Sequence, residues 1–288
     1  MKSLFLRYPG GKAKAVTFSY DDGFSQDRRL AELFTQYGIK STFNFNCKEL
    51  RPTYFTNEEI QELFLSKGHE IAVHGAYHRA SGNVRAIEGI RDMLDCRLEL
   101  EERCGTIIRG MAYPDTGINQ MSPFISYDKI KNYLIDLGIA YARTIGIANV
   151  NFTLPEDFYA WMPTAHHDDP KIMEYIDEFL KIDTSTKKYH ALRIPQLLFI
   201  WGHSYEFDKN DNWEHIEQIC QKLSGNDELW FATNIEIYDY VQAYNSLIYS
   251  ADGSKVYNPT LLTVWLDLGG ELFTVKSGET VIIPANKR

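Results

Sequence analysis

Short β-favouring apolar runs alternate with amphipathic helical stretches along most of this 288-residue chain, and polar residues collect just past the strand runs. Strand signals fall at 15–20, 41–46, 70–74, 107–113, 140–145, 196–202 and 229–233. After the first of them, Leu30, Leu33, Phe34 and Tyr37 recur at helical spacing, and Gly38 is placed to end the helix. Thr56-Asn57-Glu58-Glu59 is a capping box opening a helix that Gly68 closes. Further helical patterns cover 84–103, 127–137, 171–181, 213–223 and 236–245. Roughly seven or eight βα units predict an α/β fold, a parallel TIM-like (β/α) barrel rather than an open doubly wound sheet. In a barrel the loops after the strands converge on one mouth. Here Asp21-Asp22, His74, Pro114-Asp115 and His203 each follow a strand run directly.

The pattern changes near residue 250. Residues 250–258 are turn-like, and 261–268, 271–275 and 280–284 read as short strands separated by Gly269-Gly270 and Ser277-Gly278. The expected organisation is a barrel domain over 1–249 and a β appendage over 250–288. The appendage is too short to fold alone; it is expected to cap the barrel or to form an interface in an oligomer.

Net charge is -9, and no dense Lys/Arg run occurs. Nucleic acid and anionic membrane surfaces are therefore not expected as partners, because both require basic patches. The four cysteines form no CxxC pair and read as reduced, buried thiols. The first residues lack the ~7–15 apolar positions of a signal peptide. No stretch approaches the ~20 apolar residues of a membrane span. A cytoplasmic protein is the expectation.

The strongest local signal for chemistry is His74-Gly75-Ala76-Tyr77-His78. Two imidazoles four residues apart lie on one face of a helical turn and are able to grip one ion. Alone, such a pair is more often two histidines held by ordinary hydrogen bonds. The preceding strand, which would set both rings at the barrel mouth, strengthens the metal reading. Tyr20-Asp21-Asp22-Gly23 is the second signal. Asp-Gly is a common turn former, but adjacent carboxylates repel unless a cation or an arginine neutralises them. One carboxylate would complete a two-His-one-Asp site, the usual three ligands of a catalytic metal. The other is free to act as a base towards water activated at the metal. His203, after an apolar strand, is placed to serve as the acid.

Taken together, strand–Asp-Asp-Gly, HxxxH, a Pro-x-x-Gly segment and a late histidine resemble the polysaccharide deacetylases of carbohydrate esterase family 4, over about residues 13–245. The resemblance implies a deformed barrel and one divalent metal, zinc foremost, with Co, Ni, Mn or Fe also suited to such ligands. It implies removal of N- or O-linked acetyl groups from a carbohydrate. Carried over, Asp21 matches the base, Asp22, His74 and His78 the metal ligands, and His203 the acid. Residues 109–117 match the motif that lines the groove and offers a backbone N–H to the oxyanion. From it come Arg109, as the partner of Asp21, and Tyr113, Pro114 and Asp115 as substrate contacts. Trp161 is the best candidate for the tryptophan of the family's Asp-Trp motif, and Trp201, standing where the family has Leu two residues before the histidine, would give the acetyl pocket a broad apolar wall.

The chain departs from that pattern in places. Gly75 stands where a Ser or Thr hydroxyl usually braces the loop. Arg109 lies five residues before Pro114. No aspartate precedes Trp161, leaving Asp157 or Asp168 to support His203. His166-His167-Asp168-Asp169 falls outside the pattern; it reads as a solvated polar loop or as a loop reaching the mouth. Two other functions stay open: hydrolysis of another C–N bond, such as a cyclic amide or imide, and a non-catalytic carbohydrate-binding barrel. The aromatic content of 14% suits sugar stacking and core packing equally.

Overall fold

The computed structural model describes residues 4–48, 55–145, 150–185 and 193–284. Lys14–Asp22 is buried at every position, as in a central strand covered on both faces. It forms β2, preceded by β1 (Leu4–Arg7) and followed by β3 (Thr42–Phe45), β4 (Glu70–Val73), β5 (Gly110–Ala112) and β6 (Tyr141–Arg143). The series continues with β7 (Ala165–His166), β8 (Gln196–Gly202) and β9 (Leu229–Phe231). Across the sheet the order is β6-β5-β4-β3-β2-β8-β7, with β9 also paired to β2. These pairings are all parallel. Arg143 makes a further parallel bridge to Trp161, and Thr164 then donates to the Phe199 carbonyl, so one segment spans from β6 towards β8. This curled parallel sheet with surrounding helices is the deformed (β/α) barrel expected from the sequence.

Strand alternation sorts its two faces. Val16, Phe18 and Tyr20 of β2, Phe43 and Phe45 of β3, and Leu198 and Ile200 of β8 join one apolar cluster with helix residues such as Leu30, Phe34 and Met93. The intervening Thr17, Ser19 and Asp21 of β2 and Thr42 and Asn44 of β3 are polar and buried, whereas Leu197 and Phe199 of β8 join a second apolar cluster. Thr17 donates to Asn234, Thr42 donates to Glu70, and Asn44 donates to both Ser19 and Asp21. This hydrogen-bonded layer satisfies groups that would otherwise be costly to bury.

The helices expected at 84–103, 127–137, 171–181, 213–223 and 236–245 appear as Ala86–Cys104, Tyr127–Asp136, Ile172–Lys181, Trp213–Leu223 and Asn234–Asn245. The Thr56 capping box forms in both directions. All four cysteines are free and buried. Among the described residues no helix is long and apolar enough to cross a membrane.

Beyond residue 247 come β10 (Ile248–Tyr249), β11 (Lys255–Tyr257), β12 (Val264–Leu268), β13 (Glu271–Val275) and β14 (Thr280–Ile282). They form two small sheets, β10-β11-β14 and β1-β12-β13. The second recruits β1 from the other end of the chain, a pairing that no local sequence pattern encodes. Val264, Leu266 and Leu268 share a core cluster with Leu6, Leu197 and Phe199. Residues 285–288 of the expected appendage lie outside the described residues.

Candidate functional site

β2 ends in the two carboxylates. Alternation along a strand sends neighbouring side chains to opposite faces. At Asp22, however, the backbone turns to φ 82°, followed by Gly23 at 72°. A positive φ on a non-glycine residue is strained and held by its surroundings. The turn allows two adjacent carboxylates to serve one mouth. Asp21 stays in the polar layer, accepting Asn44 Nδ2 at 2.9 Å and the Arg143 guanidinium. Asp22 reaches His78, with Oδ1 3.3 Å from Nε2, and His74, with Oδ1 3.6 Å from Nε2. Asn46 donates to the same Asp22 oxygen at 3.2 Å.

His74 follows β4 directly. The segment to His78 is not the helical turn expected from its i, i+4 spacing, because Gly75 and His78 take φ of 77° and 50°. A loop brings the rings together instead, with centroids 5.0 Å apart. A Cβ on Gly75 would stand 2.6 Å from Asp92 Oδ2. The same Asp92 carboxylate accepts the Tyr77 N–H at 2.6 Å and the Arg79 N–H at 3.4 Å. Asp92 thus braces this loop where relatives are expected to use a hydroxyl at position 75.

These residues fit a divalent metal. The nearest donor atoms of Asp22, His74 and His78 all lie within 4.8 Å of one another. His74 Nδ1 lies 3.0 Å from the Ala112 carbonyl and donates to it, so Nε2 is the nitrogen with a free lone pair. Burial lowers the pKa of His74 and keeps it neutral, as a ligand must be. Two imidazoles and one carboxylate leave an open position, as catalytic metals require.

His203 follows β8, and its support comes from Glu206 rather than Asp157 or Asp168. Glu206 Oε2 accepts the His203 backbone N–H at 3.1 Å and lies 3.4 Å from His203 Nδ1. Burial lowers the pKa of His203, but Glu206, Asp21 and Asp22 more than offset this, so it titrates above its ordinary value. Asp157 instead binds Tyr127 and Lys131. Asp168 accepts from Asn210 and faces His167. An HxxE spacing, His203 to Glu206, was the available signal.

Other expected residues disperse. The Arg109 guanidinium pairs with Asp239 at 3.1 and 2.5 Å and does not reach Asp21; Arg143 takes that place. Arg143 was legible as a lone cation inside a buried strand. Tyr113 is buried in the core, its hydroxyl donating to the Tyr159 carbonyl and its N–H to the Arg143 carbonyl. That N–H is therefore not free for an oxyanion. Pro114 is buried beside Gly75, and Asp115 is exposed. Trp161 is fully buried among Tyr141, Phe158 and Phe199, not in a groove. Trp201 does stand at the site: its ring lies 4.6 Å from the Arg143 guanidinium, 4.8 Å from the His166 ring and 5.7 Å from the His203 ring. His166 and His167 also reach the mouth, with Nε2 atoms 3.1 and 3.4 Å from Glu206 Oε2.

Residues 8–129 match the family model for polysaccharide deacetylase. No curated protein matches the sequence. Among solved structures, a Mycobacterium smegmatis protein assigned to the polysaccharide deacetylases aligns with TM-score 0.55 at 16% identity, over 85% of this chain and 96% of its own. The Xyl-CE4 domain of a multidomain xylanase from the hindgut metagenome of Trinervitermes trinervoides aligns at 0.51 and 16%, over 81% and 92%. Puue allantoinase aligns at 0.53 and 13%, over 81% and 91%. At such identities the structures speak for the fold, and the family match speaks for residues 8–129: that stretch is similar to the polysaccharide deacetylases.

Proposed function

We propose that the protein removes an N- or O-linked acetyl group from a carbohydrate, using a divalent metal, zinc foremost, held by Asp22, His74 and His78. The observation that carries this reading is the convergence of those three donors within 4.8 Å, with Asp21 Oδ2 3.9 Å from His74 Nε2. When bound, such an ion polarises a carbonyl and lowers the pKa of water towards ~7. Asp21 is fixed by Arg143 and Asn44 and accepts the proton of the attacking water. Its neighbour Asp22 is spent on the histidines, so the two carboxylates divide the work. His203, kept protonated by Glu206, hands its proton to the departing nitrogen or oxygen. Trp201, flat beneath the Arg143 guanidinium, offers an apolar wall for the acetyl methyl.

The test is acetate release from acetylated xylo- and chito-oligosaccharides by the chain loaded with Zn, Co or Mn. Asp21→Asn should abolish turnover and keep metal binding. Ring opening of a cyclic imide without acetate release would move the assignment to a different C–N hydrolase. Sugar binding with no turnover of either kind would make the barrel a carbohydrate-binding protein.

A further inference from the structure

We propose a second divalent-cation site beside the first, formed by His167 Nε2, Asp168 Oδ1 and Glu206 Oε2, and suited to Zn(II) or Mn(II). It ties the end of β7 to the segment after β8 that carries His203.

His167 is the observation that requires an explanation. It is fully buried, its ring stacked between Tyr20 (centroids 5.6 Å, 12°) and Phe207 (4.4 Å, 28°). Gly202 makes room for it: a Cβ there would stand 1.9 Å from His167 Nδ1. Among the described residues neither ring nitrogen has a hydrogen-bond partner. Yet Nε2 lies 3.4 Å from Asp168 Oδ1 and 3.4 Å from Glu206 Oε2, in hydrogen-bond geometry with neither. A buried imidazole left without a partner costs on the order of 1–3 kcal/mol. A cation between the nitrogen and the two oxygens removes that cost.

The separations agree with this. Ligands ~2.0–2.1 Å from a tetrahedral ion stand about 3.3–3.4 Å from one another. The two 3.4 Å distances match that edge, as does the 3.3 Å between Asp22 and His78, with the 3.6 Å between Asp22 and His74 slightly longer. The donor set is also balanced in charge, two carboxylates and one neutral imidazole facing a dication. One nitrogen with two carboxylate oxygens favours Zn(II) or Mn(II) over softer metals.

His166 belongs to the same group of donors, but its tautomer makes it a support. Its Nδ1 accepts the Asp168 N–H at 3.2 Å, so the proton sits on Nε2 and points to Glu206 Oε2 at 3.1 Å. A hydrogen bond of this kind orients a ligating carboxylate. On the other side, Asp168 Oδ2 accepts Asn210 Nδ2 at 2.9 Å.

Asp22→Asn in the full-length chain removes the first site and isolates the second. Equilibrium dialysis with Zn(II) should give two equivalents for the native sequence, one for Asp22→Asn, and none for Asp22→Asn/Asp168→Asn. Zn(II) should raise the Tm of Asp22→Asn and leave that of the double variant unmoved. Asp168 is partly exposed, so its replacement spares the core in a way that replacing His167 would not. Glu206→Gln in the Asp22→Asn background is the second variant and should also lose the remaining equivalent. The proposal is overturned if Asp22→Asn binds no zinc, or if neither second substitution lowers its stoichiometry. Acetate release does not enter the readout, so failure here and failure of the deacetylase reading are separate results.

Discussion

Removing the Arg143 guanidinium would leave the Asp21 carboxylate buried with Asn44 as its remaining donor. Both members of the pair are almost wholly shielded from water. Breaking such a pair from one side typically costs about 3–5 kcal/mol, because an uncompensated charge stays inside. Arg143→Gln should therefore lower stability by an amount in that range, measured by urea denaturation, and acetate release should fall with it. A variant within about 1 kcal/mol of the native protein would show that Asp21 is neutralised some other way. Gly75 gives a second test at this scale. Replacing it with the serine expected from relatives would place a Cβ 2.6 Å from Asp92 Oδ2, at a φ of 77°. Gly75→Ser should thus destabilise by roughly 1–3 kcal/mol, and an unchanged or raised Tm would refute it.

At the scale of elements, the 74–78 loop is held from outside itself, by Asp92 on the helix Ala86–Cys104. The Asp92 carbonyl also accepts the Ala76 N–H at 3.0 Å. Losing a group that orients a metal ligand typically weakens metal affinity 10–100-fold. Asp92→Ala should do so here, measured by chelator competition for Zn(II), and an unaltered affinity would refute the brace. This loop also shows what the sequence could and could not say. Asp21, Asp22, His74 and His203 were legible because charged or imidazole side chains directly after apolar strands are costly unless they face a common mouth. The conformation of 74–78 was not, since i, i+4 spacing predicts a helical turn until two positive-φ residues are known. Glu206 was obscured because its helix, Tyr205–Lys209, is a little over one turn and carries no periodic pattern. β7 has two residues, too few for alternation to show.

For the whole molecule, long-range pairings were hidden for the same reason: no local pattern encodes them. Asp267 of β12 accepts from both Arg7 of β1 and Arg193, all three buried, so residues near each end of the chain share one ion cluster. Glu70, at the start of β4, gives a consequence that is measured on the fold as a unit. Burial pushes its carboxyl up to about 7, although the Ile235 N–H and the Tyr141 and Thr42 hydroxyls all donate to it. Between about 4.5, where an unfolded chain loses this proton, and 7, the native state binds more protons than the unfolded one. Stability then falls as pH rises through that window, by at most about 1.4 kcal/mol per unit, and levels off above it. Its neighbour His69 acts oppositely: burial pushes the imidazole down to about 4, so between 4 and 6.5 stability rises with pH. In the native chain the two effects largely offset. Glu70→Gln removes the first and leaves the second. Its stability relative to the native protein should climb by up to about 3 kcal/mol between pH 4.5 and 7 and stay constant above. Urea denaturation of both proteins from pH 4 to 8.5 measures that difference; one that does not change with pH would mean that Glu70 is ionised in the folded barrel.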